Sequence, residues 1–199
     1  MKKPLKALVA TCLFAALLLA VYFIHVRYLP VNVVFYSAIE DGLVAATISA
    51  AFVFLAAYFV DLNAFEKVQL TLIWVLLGYV YAISIPTVID RSLSLYMLEK
   101  MQQRGGGILQ SRFEDVFTKE FSREHRLVDA RLTEQMESGT VRIVNGCVLL
   151  TERGDEIASA SRYFRLNFLP KKRLLMGKYS DELTDPFRGS DQVVDYGCK

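Results

Sequence analysis

Residues 126–154, RLVDARLTEQMESGTVRIVNGCVLLTERG, decide the reading of the polar half of this chain. Leu127, Val128, Leu132 and Met136 contribute apolar contacts at helical spacing, and Gly139 stops the helix. Val141–Val144 and Cys147–Leu150 then read as two short strands. Between them stands Asn145-Gly146, the strongest short hairpin signal, because both residues tolerate positive φ. Leu150-Thr151-Glu152-Arg153-Gly154 opens another helix with Thr151 as its cap, and Ile157, Ala158, Ala160, Tyr163 and Phe164 continue it.

Upstream, Ser92 to Gln103 carries Leu93, Tyr96, Met97 and Met101 at helical spacing, and Gly105-Gly106-Gly107 ends that helix. The glycines lack the Lys-Ser/Thr ending and the preceding strand of a phosphate loop. A second helix is expected from Ser111, with Ser111 and Glu114 as a capping box and a stripe of Phe113, Val116, Phe117 and Phe121.

The first ninety residues are of another kind. The chain has 199 residues and a formal charge of +2, and most of its charge follows Asp90. Three apolar stretches, about 7–26, 42–60 and 68–89, are each long enough to cross a bilayer as a helix. Val33 to Tyr36 reads as an interfacial patch in a connector that also holds Glu40-Asp41. Ala45, Ala46, Ser49 and Ala50 form a small-residue face that lets another helix approach. Pro86 should kink the third span, and Asp90-Arg91 marks its end.

The expected fold is therefore an all-α membrane anchor of three transmembrane helices (1–89), a small α+β domain (90–170) and a tail (171–199) that is basic and then loosely ordered in its last ten residues. Leu183 to Phe187 reads as a turn. Helix, helix, helix, hairpin, helix resembles the winged helix-turn-helix superfamily. The wording L-x-x-x-x-x-x-G (Leu132 to Gly139), a hairpin, and L-T-x-x-G (Leu150, Thr151, Gly154) carries that resemblance over residues 92–168. The whole layout, with P-T-V-I-D-R-S-L-S at 86–94, also resembles small bacterial membrane proteins that accompany membrane glycosyltransferases in surface-polysaccharide synthesis. What the resemblance implies is a partner, a larger integral membrane protein of that class.

DNA binding is the alternative that a winged helix brings to mind. The electrostatic footprint argues against it. Asp129, Glu134 and Glu137 share the third helix with Arg126 and Arg131, and Arg142 is the one cation in the hairpin. Catalysis lacks a motif: His25 and His125 have no ligand partner at helical spacing, and no nucleophile elbow occurs. No cofactor, metal or small-molecule substrate is expected. The expectation is a non-catalytic accessory subunit. Its candidate partner contacts are Asp90, Arg91, Arg126 and Arg131, and its candidate lipid-surface residues are Lys171, Lys172 and Arg173, which follow Phe164, Leu166, Phe168 and Leu169.

Sidedness is balanced by charge. Lys2, Lys3, Lys6 and Lys67 lie on one side of three spans, Arg27, Arg91, Lys100 and Arg104 on the other. Cys12, Cys147 and Cys198 have neither disulfide-framework nor zinc spacing. Their expected free thiols and the Lys171-Lys172-Arg173 cluster favour a bacterial inner-membrane protein with its C-terminal half in the cytosol.

Overall fold

A computed structural model describes residues 3–189, 197 and 198. It divides into two compact units, Met1–His125 and Arg126–Lys199.

The first unit begins with three long helices, α1 (Lys3–Tyr28), α2 (Val34–Leu55) and α3 (Ala64–Ser84), the last running on through the short α4 (Pro86–Arg91). All three are long and apolar enough to cross a membrane. The second starts eight residues before the expected 42. Val34 to Asp41, read as connector, is helical, so Glu40 and Asp41 sit inside α2. The reason is the alternation itself: Val34, Phe35, Ala38 and Ile39 continue the apolar period that the two acids only interrupt.

The bundle is cemented by small and aromatic residues. Ala45, Ala46 and Ser49 are buried, as a close-approach face requires. Gly42 and Gly78 meet where α2 crosses α3; a Cβ on Gly78 would stand 3.1 Å from the Gly42 Cα. Trp74 is fully buried, stacks on Phe14 at 5.7 Å, and donates its indole N–H to Thr11 Oγ1 at 3.1 Å. Asn63 caps α3 in a reciprocal box with Glu66. Pro86 cannot supply the amide that Ala82 O would receive; the Thr87 hydroxyl donates to that carbonyl instead, at 2.7 Å.

Beyond the spans come α5 (Leu93–Gln103) and a broken helix α6 (113–124), made of Phe113–Asp115, a π-wound turn Val116–Phe121 and Ser122–Glu124. The expected Ser111 cap is absent: Gln110–Arg112 is a 3-10 turn, and Arg112 precedes the helix with no side-chain cap. Lys100 clasps α5 to α6. Its ammonium is buried and lies 2.8 Å from Glu120 and 2.6 Å from Glu124, while Tyr96 Oη donates to Glu124 at 2.8 Å.

The second unit holds α7 (Leu127–Glu137), β1 (Val141–Val144) paired antiparallel with β2 (Cys147–Leu150), and α8 (Glu152–Phe168). Asn145 and Gly146 take φ of 52° and 78°, as the hairpin reading requires. A second hairpin, unread in the sequence, pairs β3 (Arg173–Leu175) with β4 (Lys178–Ser180), and a 3-10 turn Pro186–Gly189 follows the expected turn. The helix and strand order is the one expected for 92–168, but the division between units falls at His125/Arg126, between the second and third helices of that order. The expected looseness of the last ten residues lies, but for Gly197 and Cys198, outside the described residues.

The reading of the cysteines is corrected. Cys147 and Cys198 are joined in a disulfide, with their Cα atoms 6.0 Å apart. Spacing along the chain could not reveal it, because the tail reaches the β1–β2 hairpin only through the fold. Cys12 alone is free among the described residues.

Candidate functional site

Polar pairs bracket the apolar length of α1 at both ends. At one end Lys6 pairs with Asp61 in the loop between α2 and α3, and Lys3 pairs with Glu66 at 2.9 Å. At the other end His25 Nδ1 lies 2.7 Å from Asp41 Oδ1. Residues 7–24 separate them, a rise of about 27 Å at about 1.5 Å per residue, against a hydrocarbon thickness of about 30 Å. The bundle is thus ruled at both faces by side-chain pairs that cross between helices.

The His25 end is the more unusual. Asp41 is 4% exposed, and its Oδ2 has no hydrogen-bond partner among the described residues. A buried carboxyl group needs a hydrogen-bond partner, and the His25 imidazole supplies one at Oδ1. Tyr22 and Tyr81 meet edge-on at 5.5 Å in the same region of α1 and α3. A cavity of about 350 Å³ opens between Tyr22, Val34, Ile85, Pro86, Ile89 and Asp90. An ionisable pair at the end of an apolar bundle is the position this structure offers as a candidate site.

The expected partner contacts fall in two places. Asp90 is exposed on the wall of that cavity, and Arg91 is half-buried at the end of α4. Arg126 and Arg131 lie at α7 in the other unit. Arg126 precedes the helix in left-handed conformation, φ 44°, and its Nε donates to Asp129 at 2.9 Å. Arg131 donates to Glu134 at 2.7 Å. Both guanidinium groups are therefore paired within their own helix. The exposed residues of α7 that remain are mixed: Val128 at 63% and Met136 at 44% stand beside exposed Ala130, Gln135 and Glu137. Lys171, Lys172 and Arg173 form the entry to the β3–β4 hairpin.

Sequence reasoning missed the His25–Asp41 pair because it drew the second span from Gly42. Carrying the apolar period of α2 back to Val34 would have put an acid inside a span, opposite the histidine that ends the first.

Among the described residues no group of three or more His, Cys, Asp or Glu side chains is placed to hold a metal ion. No family model, curated protein or solved structure matches this chain.

Proposed function

We propose that this chain is a non-catalytic, membrane-anchored accessory subunit that binds a larger integral membrane protein, with a surface-polysaccharide glycosyltransferase as the candidate class of partner. The observation that carries the reading is the apolar surface of the Arg126–Lys199 unit. Among its described residues only Thr140 and Gly154 are buried, while Val128, Met136, Ile143, Val148 and Ile157 are all more than two-fifths exposed. A unit whose described residues form no core of their own, and which shows that much apolar side chain, is built to be covered. The order of α5 to α8 is the one on which the winged-helix resemblance of the sequence rests, and such modules also serve as protein-binding surfaces; order by itself assigns neither fold family nor function.

The same reading puts this unit on the oxidising face of a bacterial inner membrane. The Cys147–Cys198 disulfide supports that side, because such bonds persist outside the reducing cytosol. It removes the free-thiol argument for the cytosol, outweighs the Lys171-Lys172-Arg173 cluster, which any anionic leaflet attracts, and counts equally against the DNA-binding alternative.

The test is photocrosslinking in intact cells with p-benzoylphenylalanine at Val128. The reading expects a discrete adduct with an integral membrane protein, lost when Met136→Glu is added on the same face. Free monomer in membranes, with no adduct at Val128 or Ile143, would refute it.

A further inference from the structure

Residues 171–180, KKRLLMGKYS, fold as a finger. Leu174 pairs with Tyr179 and Leu175 with Lys178 across a two-residue turn. Both turn residues have positive φ, 47° at Met176 and 84° at Gly177. The β1–β2 turn meets the same demand with Asn145 and Gly146, the residues such a turn prefers. Methionine is not among them; its Cβ is crowded in the left-handed region. Yet Met176 stands at the tip, 85% exposed, with Leu174 at 58% and Tyr179 at 74%. Turn chemistry explains none of this, and packing among the described residues does not either.

Charge identifies the occupant. Lys171, Lys172, Arg173 and Lys178 surround the apolar tip, and no acid occurs within 171–180. Of the acids that follow, Asp181 pairs with Arg188 at 2.8 Å and Asp185 lies 4.0 Å from Arg162, which leaves Glu182 as one acid against four cations. An apolar tip with a tyrosine and a collar rich in lysine suits a lipid surface. Lysine is depleted from protein–protein interfaces, whereas anionic headgroups attract it and interfacial depth suits tyrosine. We propose that the β3–β4 hairpin is a membrane-surface finger: Leu174, Met176 and Tyr179 enter the interfacial layer, and the four cations hold the phosphates of anionic phospholipid. Three spans on the same chain make this contact intramolecular, so a small apolar area and a few charges suffice. The partner-binding reading is not needed for it.

The test uses the full chain in nanodiscs, with p-benzoylphenylalanine at Met176 and, as control, at the exposed Glu152. Lipid adducts are counted by mass spectrometry in discs of phosphatidylcholine alone and of phosphatidylcholine with phosphatidylglycerol. Met176 should crosslink to lipid in the anionic discs and Glu152 should not. Each cation removed should lower occupancy about fivefold, so Lys171→Gln with Lys172→Gln should nearly abolish the adduct. The mass of the Cys147–Cys198 link in the same spectrum shows that the variant has kept its fold. Lipid yield at Met176 no higher than at Glu152, or yield indifferent to both phosphatidylglycerol and the double variant, would overturn the proposal. So would an adduct to protein in place of lipid.

Discussion

Thr151 shows how much one side chain does in a unit whose described residues bury only Thr140 and Gly154. Its hydroxyl donates to the carbonyls of Gly139 and Thr140, at 2.8 and 3.0 Å, and accepts from the Gly154 amide at 3.1 Å. Gly154 must be glycine for the same reason: a Cβ there would run into the Thr140 carbonyl oxygen and the Leu150 side chain. Thr151→Ala should cost about 1–2 kcal/mol, the usual loss of a helix cap, and Gly154→Ala more; urea unfolding of the full chain in detergent, followed by amide exchange at Val141–Val144, measures both. Lys100 makes the matching case in the other unit. Its ion pairs hold Glu120 and Glu124 below the ordinary carboxylate range, with Arg104 helping at Glu120 and Tyr96 at Glu124, and the two acids hold Lys100 above its ordinary value. Depressed carboxylates stabilise the fold above their unfolded pKa and lose that contribution as pH falls through the folded one. The α5–α6 clasp should therefore hold at neutral pH and begin to weaken below about pH 4.3. Carboxyl-carbon NMR titration of Glu120 and Glu124 should give midpoints below the free-glutamate value, and Lys100→Met should raise both.

At the scale of elements, the α2–α3 crossing rests on Gly42 against Gly78. Backbone faces backbone there, so an added side chain has no flexible neighbour to displace. Gly78→Leu should force the helices apart and lower the thermal midpoint of the detergent-solubilised chain by far more than Leu76→Ala, a substitution at an exposed position of the same helix. An equal shift in the two would mean that the crossing contributes nothing particular. The elements also show what a sequence displays. Span number, the β1–β2 hairpin with its turn and the Thr151 cap were legible, because each depends on residues within one helical period or one turn. The start of α2 was not, because Glu40 and Asp41 look like loop residues until His25 is seen opposite. Nor was the β3–β4 hairpin, whose turn bears a methionine where asparagine or glycine is the usual signal.

For the whole molecule the disulfide is the decisive link. It closes a stretch with a sequence separation of 51, for which loop-closure entropy in the unfolded state gives about 4 kcal/mol. That is a large share of the stability of a small unit with so little buried apolar surface. Cys198→Ser should leave the span bundle intact and make residues 126–199 protease-sensitive. A C-terminal alkaline phosphatase fusion should be active and the corresponding green fluorescent protein fusion dark. A fluorescent, phosphatase-inactive pair would put the unit in the cytosol and end the assignment of side.

What the sequence by itself determined was local: three apolar lengths that match a bilayer, a hairpin with its turn, a capped helix after it, and the basic run at Lys171. Those follow from periodicity, turn chemistry and composition, which act between near neighbours. Only the tertiary structure decided that His25 meets Asp41, that Gly42 meets Gly78, that Lys100 lies between two glutamates, and that the tail returns to Cys147. Each of these joins residues from separate elements, and a contact of that kind exists only once the helices have packed and the chain has turned back on itself.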